Sequence, residues 1–537
     1  MKKGLVLSFI FASLILFISY LPNLYEASQI EKLSHDRIMI WGEHIYTYDY
    51  NVYLSKIRQG DEGRLTIINK YDNQPQQKGI FLQMTYLLSG KIGGLFGIPP
   101  ILTFHIIRTI FSFTWILTIV FLCLYFLKKP FLSFLAVVIC LLASSLPVFY
   151  KIDGQFWIGN HMSWWQEMDV LKRISYIPHY TLNYIIIATL TFLLYKFSKT
   201  DNKKYFFLIC IILFFSFFIH PSGGLVFLFS WVIYHIIKKN LSKQKIFYTI
   251  ILFIIALIAL FYIKSVGATG SWRGLVEFDH KYSLPFTLKE YILSLGPVFF
   301  SGVAGIFFVL IKKEERLYPI VTWILGAFAA ILIFIIFPYQ SPVRFIQTAN
   351  HIPLAILSVY FVFELRRSTT KLGLIWLTLI IILGITQTIY SFKSQTHFIH
   401  QRAVATLPLV PYPSQVMYPL KDFYFGLMWL ENNTNRNDVV LSEITAGNYI
   451  PAYSGNFVYF GHSGETPNFE DRAYSVKRFF SGSMTKTEAQ NFLIKEKIVY
   501  VFLGPQEKED LIAPVLALDF LIPVYTSYHV NIYKVKK

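Results

Sequence analysis

The feature that most constrains this chain is a succession of long apolar runs almost free of charge, near 4–21, 99–127, 131–149, 181–197, 205–220, 223–237, 246–264, 291–311, 317–337, 351–365 and 372–391. Runs of this length suit the hydrocarbon core of a bilayer, where a spanning helix satisfies all of its own backbone groups. They predict a polytopic α-helical membrane protein with about eleven transmembrane helices. Composition agrees, with 54% hydrophobic and 15% charged residues, against about 45–50% and about 25% in soluble domains. The net charge of +18 would suggest nucleic-acid binding in a soluble protein. In a membrane chain it is first a topology signal, and no nucleic-acid partner is expected. Cys123, Cys140 and Cys210 lie inside apolar runs and form no CxxC, which argues against a disulfide framework or a thiolate metal site.

The first run follows Met1-Lys2-Lys3 and precedes no small-x-small cleavage pattern, so it reads as a signal anchor with a cytoplasmic N-terminus. Basic clusters at Lys128/Lys129, Lys199/Lys203/Lys204, Lys238/Lys239/Lys243/Lys245, Lys312/Lys313/Arg316 and Arg366/Arg367/Lys371 then fall on the side of Lys2 and Lys3. That parity requires 205–237 to be two helices broken at His220-Pro221-Ser222-Gly223-Gly224. The expected layout is a transmembrane domain over 1–391, with a long first outer loop (22–98) and a second (150–180), followed by an extracytoplasmic α/β domain over 392–537. In the tail, strand patterns at 438–442, 497–502 and 522–526 alternate with helical ones at 422–432, 469–480 and 485–496, predicting a parallel, doubly wound sheet. There is no P-loop and no GxGxxG after a strand, which disfavours an ATP-driven machine.

Residues suited to chemistry concentrate in the outer segments. Asp49 opens a helical pattern from Tyr50 to Ile57. It is placed either to cap an amphipathic helix at the membrane surface, with Lys56 and Arg58 towards headgroups, or to take a proton from an acceptor hydroxyl. Asp61, Glu62 and Asp72 are rivals that resemble solvated turn residues. The second outer loop gathers Glu167, Asp169, Arg173, His161, His179 and three Trp residues. Its Trp side chains fit an aromatic belt, and its histidines lack metal-ligand spacing. A divalent metal is possible but not indicated, and no cofactor is certain. Arg344, in the segment Arg344-Phe-Ile-Gln347, suits bidentate capture of a phosphate or a salt bridge to an outer-loop carboxylate. Arg108 and His105, one turn apart, are expected to face the bundle interior or a polar cavity.

Several strings resemble bacterial membrane glycosyltransferases of the GT-C superfamily. They are Asp49-x-Asn51-x-Tyr53-Leu-x-Lys56-x-Arg58-Gln59-Gly60, Pro178-His179, Arg344-Phe345 with His351-Ile-Pro353, Trp429-Leu430-Glu431-Asn-Asn-Thr434, Gly447-Asn448-Tyr449-Ile-Pro451, and Gly461-His462-x-x-Glu465-Thr466. The resemblance implies transfer of a sugar, outside the cytoplasmic membrane, from a polyprenyl-phosphate donor to a glycan, lipid or protein acceptor. On this reading Asp49 is the base, with Glu167 and Asp169 as further catalytic carboxylates. Arg344, Arg173 and Gln347 bind the donor phosphate, and Asn51, Tyr53 and His179 contact substrate. Tyr48 stands where such enzymes often carry a second carboxylate, which argues against a paired-carboxylate or metal role for Asp49. The alternatives are a transporter or lipid flippase, which explains the helices but not the large outer segments, and a receptor or scaffold, which leaves Asp49 and Arg344 without a task.

Overall fold

Helices form at every expected span, because a run of uncharged apolar residues can leave water only with its backbone bonded internally. A computed structural model describes residues 2–268, 270–281, 286–365, 370–405, 417–509 and 518–536. Its apolar helices are Lys2–Ala27, Pro100–Leu127, Pro130–Leu142, Pro178–Thr200, Lys203–Ile219, Pro221–Ile237, Lys243–Gly267, Pro297–Ile311, Tyr318–Ile336, His351–Leu365 and Thr370–Ala403. Proline opens five of the internal ones, at Pro100, Pro130, Pro178, Pro221 and Pro297, where its missing N–H costs nothing. The break at His220 is real, with an extended residue (φ −158°) between two helices.

The expectation of eleven crossings is not met in full. Six helices among the described residues are long and apolar enough to cross a membrane. A seventh crossing is possible if Leu288–Leu295 and Pro297–Ile311, bent by 92°, are one span. Pro130–Leu142 shows why the count falls. Thirteen residues rise only about 20 Å, against roughly 30 Å of hydrocarbon. The rest of the run expected at 131–149 turns into strand β1 (Pro147–Ile152), which pairs antiparallel with β2 (Gln155–Asn160). Asp153 and Gly154, both at positive φ (50° and 78°), make the two-residue turn. This hairpin was not expected, although Asp-Gly between apolar residues is a strong hairpin signal.

The chain divides into two compact units. The first comprises 1–24, 107–262 and 284–395, and the second 25–106, 263–283 and 396–537. The second unit holds a five-stranded sheet of β3 (Val439–Leu441), β4 (Phe457–Val458), β5 (Ile498–Leu503), β6 (Leu521–Thr526) and β7 (Asn531–Val535), ordered β4-β3-β5-β7-β6. Strands β4, β3 and β5 are parallel, whereas β7 runs antiparallel to both β5 and β6. The sheet is therefore mixed, not parallel throughout. The reason lies at Ser527–Val530, where a tight turn, with Ser527 N–H donating to the Val530 carbonyl at 2.8 Å, returns the chain beside β6 and leaves no room for a crossover helix. Val439, Leu441, Val501, Phe480 and Leu493 build the core beneath it. In the same unit, helix Thr47–Asp61 packs on Met84–Leu95 through glycines: a Cβ on Gly60 would lie 2.0 Å from the Leu87 carbonyl, and one on Gly90 1.8 Å from that of Ile57.

Candidate active site

Asp49 lies in the first turn of helix Thr47–Asp61, but the N-cap is Tyr46 and no side chain caps the helix. Asp49 is thus not the cap. Nor is this a surface helix, since Tyr50, Asn51, Val52, Leu54, Lys56 and Ile57 are all buried. The cations expected at headgroups are paired inside the unit. Lys56 Nζ donates to Glu465 Oε1 at 2.8 Å and Gln83 Oε1 at 2.5 Å. Arg58 bonds Glu62 at 3.0 Å, the Tyr453 carbonyl at 2.8 Å, and Glu431. Burial compels this, because an unpaired charge out of water is far more costly than a paired one.

Asp49 itself meets His462. The carboxylate Oδ1 lies 3.1 Å from His462 Nε2, with the Asp49 side chain 46% exposed and that of His462 9%. A buried imidazole thus presents a carboxylate to the outside. The ring is held on both sides: Gly464 N–H donates to Nδ1 at 3.1 Å, and Tyr48 stacks on it with centroids 4.0 Å apart. Tyr48 is pinned in turn, its hydroxyl accepting from Ser463 N–H at 2.6 Å, and burial pushes its pKa up to about 12. The loop carrying His462 is closed by Thr466, whose Oγ1 accepts from the N–H groups of Gly461 and His462, each at 3.2 Å. It sits against helix Ile444–Tyr453 at a glycine crossing, where a Cβ on Gly447 would lie 2.0 Å from the Phe460 carbonyl.

Asn51 donates to Asn448 Oδ1 at 2.7 Å, and Asn448 Nδ2 donates to the Tyr48 carbonyl at 3.2 Å. Beside them is a small cavity lined by Glu43, Thr47, Tyr50, Asn51, Tyr449 and Tyr453 among others. Tyr53 stacks on Tyr86 with centroids 4.6 Å apart. Of the rival carboxylates, Asp72 is not a solvated turn residue: it is buried and paired with Arg472 at 2.7 Å. Asp49 and His462 supply two donor groups. Among the described residues no cluster of three or more His, Cys, Asp or Glu is placed to hold a metal ion.

The remaining expected site residues lie in the first unit. Glu167 is buried, with Oε1 accepting from Ala349 N–H at 3.3 Å. Burial raises its pKa to about 8, against the opposing pull of the Tyr184 hydroxyl, the Ala349 amide and Arg173. Asp169 Oδ1 accepts from the N–H groups of Leu171 and Lys172, both at 2.9 Å, and from Ser391 Oγ at 2.6 Å. Arg173 donates to the carbonyls of Leu141 (3.2 Å) and Ala143 (2.5 Å), closing the end of helix Pro130–Leu142, and burial lowers its pKa to about 10. His179 and His220 face each other with rings 5.9 Å apart, and His220 Nδ1 meets Ser222 Oγ at 2.6 Å. Arg344, partly buried in the short 3-10 turn Pro342–Phe345, lies within electrostatic reach of His220. Gln347 is buried nearby in sequence, and its carbonyl accepts from Asn183. His161 pairs with Glu290 at 2.9 Å, and Arg108 is buried with its guanidinium over Tyr20.

Glu167 makes a pH prediction. A carboxyl held up to about 8, from an ordinary 4.5, keeps a proton in the folded state that the unfolded chain releases. Its contribution to stability is whole below about 4.5 and is lost as pH rises towards about 8. Glu167→Gln, permanently neutral, is expected to show a smaller fall of thermal midpoint between pH 6 and pH 9 than the parent in the same detergent. Equal falls would contradict this account.

Sequence reasoning passed over His462, Asn448 and Glu465. They stood in the tail strings Gly447-Asn448-Tyr449 and Gly461-His462-x-x-Glu465-Thr466, but 413 positions separate His462 from Asp49, and no local period links them.

No family model matches the sequence, and no curated protein matches it at a significant level. Solved structures do. The apo oligosaccharyltransferase of Archaeoglobus fulgidus aligns over 92% of this chain and 70% of its own, with TM-score 0.53 and 14% identity. The same organism's AglB, in complex with an inhibitory peptide and a dolichol-phosphate, aligns over 93% of this chain and 70% of its own, with TM-score 0.52 and 13% identity. ArnT from Cupriavidus metallidurans, bound to undecaprenyl phosphate, aligns over 97% of this chain and 98% of its own, with TM-score 0.52 and 8% identity. At such identities what is shared is architecture: the apolar helices and the mixed-sheet unit of this chain have the same overall fold as these solved structures.

Proposed function

We propose that the protein is a membrane glycosyltransferase that moves a sugar from a polyprenyl-phosphate donor to an extracytoplasmic acceptor with inversion at the anomeric carbon. The observation that carries this reading is the half-exposed Asp49 carboxylate presented by a buried histidine. The acceptor hydroxyl gives its proton to Asp49, and its oxygen bonds to the anomeric carbon. The bond from that carbon to the phosphate oxygen breaks, and polyprenyl phosphate leaves with the electron pair. Arg344, with His179 and Gln347 of the same unit, is the proposed ligand set for the phosphate of a lipid-linked donor. Arg173, already bonded to two backbone carbonyls, supports the unit and does not need to touch phosphate. Asn51 and Tyr53 shape the ground beside Asp49. The fold supports this reading, since ArnT and AglB were solved with undecaprenyl phosphate and a dolichol-phosphate respectively.

The test is purified protein in vesicles with radiolabelled polyprenyl-phosphate sugars and candidate acceptors. Transferase action moves label onto acceptor. The broken helix pair at His220 and the 92° bend before Pro297 suit a flippase, which would instead carry intact labelled donor across the bilayer.

The proposed orientation places the loop at Lys238–Lys245 in the cytoplasm and the C-terminal segment outside. Of the basic loop at 366–371, Arg366 and Arg367 lie outside the described residues. A cysteine at Ser483 is expected to react with an impermeant thiol reagent in intact cells, and one at Ser242 only after permeabilisation. The reverse pattern would overturn the orientation.

A further inference from the structure

We infer that His462 is a positioning residue for sugar transfer, acting through Asp49 by fixing the plane of its carboxylate; the inference rests on the reading of Asp49 as the base. Three observations carry it. Gly464 N–H donates to Nδ1, so the neutral ring carries its proton on Nε2. That proton points at Asp49 Oδ1, 3.1 Å away. The ring itself cannot turn away, because it is buried beneath Tyr48 at 4.0 Å, with Tyr71 tilted against it at 6.0 Å.

A carboxylate on a half-exposed side chain otherwise rotates freely about its last torsion. Anchoring Oδ1 to a ring that is itself hydrogen-bonded and stacked leaves Oδ2, which has no partner among the described residues, in one orientation towards the acceptor's proton. The arrangement reverses the familiar use of an acid–histidine pair. Here the histidine is the buried orienter and the carboxylate is the group that meets substrate. The anchor also links the two segments whose register the site needs: Asp49 belongs to helix Thr47–Asp61, while His462 sits in a loop held by Thr466 and by the glycine crossing at Gly447.

Two substitutions separate this role from a merely structural one. His462→Gln places an amide donor near the position of Nε2 and gives up the Nδ1 acceptor. His462→Asn keeps an acceptor near Nδ1 for Gly464 and removes the donor to Asp49. For a positioning residue, His462→Asn is expected to lower kcat about 10- to 100-fold with donor KM unchanged, whereas His462→Gln stays within about 5-fold of the parent. A histidine that only supports its loop gives the opposite order, with His462→Asn near parental and His462→Gln poorly folded, and that result would overturn the inference. If His462→Asn does not accumulate folded, His462→Gln decides: folded protein with kcat more than about 10-fold down overturns it, and retained kcat supports it. The double variant adds an independent reading. In an Asp49→Asn background, His462→Asn should cost less than about 2-fold more, because its route to the reaction has gone. An undiminished further loss would mean that His462 acts otherwise. Failure of the base reading is seen separately, as parental transfer by Asp49→Asn alone.

Discussion

Asp49→Asn is expected to leave a folded, donor-binding protein whose rate of sugar transfer is lower by about 10²–10⁴, the usual contribution of a general base. The substitution is close to silent in shape. Asparagine matches aspartate in size, and its Oδ1 still accepts from His462 Nε2, so the contact seen at 3.1 Å survives. Because Tyr46 is the N-cap, no cap is lost. What disappears is one negative charge in the first helical turn of a side chain that is 46% exposed, worth at most about 0.5 kcal/mol after solvent screening. A large fall in kcat with an unchanged thermal midpoint and unchanged donor binding therefore isolates proton transfer. Parental turnover would remove Asp49 from the chemistry and make Glu167 the next carboxylate to test, since Asp169 already accepts three hydrogen bonds.

The second large effect is expected at Arg344. A guanidinium can grip two phosphate oxygens at once, and hydrogen bonds to charged groups are worth about 1.5–3 kcal/mol each. Arg344→Ala should then weaken kcat/KM for the lipid-linked donor by about 10–100-fold or more. Arg344→Lys should recover only part of this, because a point charge does not reproduce the planar fork. The measurement is donor titration in vesicles at constant ionic strength. A loss of thermal stability with undiminished kcat/KM would instead assign Arg344 to an internal salt bridge. Arg344 lies within electrostatic reach of His220, which faces His179 in the same unit.

Much of the fold was legible residue by residue. Each expected span became a helix, and the split at His220-Pro221 appeared where the prolyl ring forbids a continuous backbone bond. Strands at Val439–Leu441 and Ile498–Leu503 followed from β-branched content. The candidate site was legible only in outline. Asp49 stood out as a carboxylate at a helix start, but sequence could not separate a cap from a base, and the surface placement of its helix was wrong because burial depends on what packs above it.

Hydropathy and turn chemistry are properties of neighbouring residues, so the sequence alone determined that this chain is a many-helix membrane protein with an α/β segment near its end. The tertiary structure alone decided what pairs with what. It turned the last two strands into an antiparallel hairpin, spent Asp169 and Arg173 on backbone groups, buried Glu167, and brought His462 to Asp49 across 413 positions. The physical reason is the same in each case: a hydrogen bond acts over about 3 Å of space, whereas the patterns readable along a chain act over a few residues, and nothing local in either segment records the partner that folding will bring.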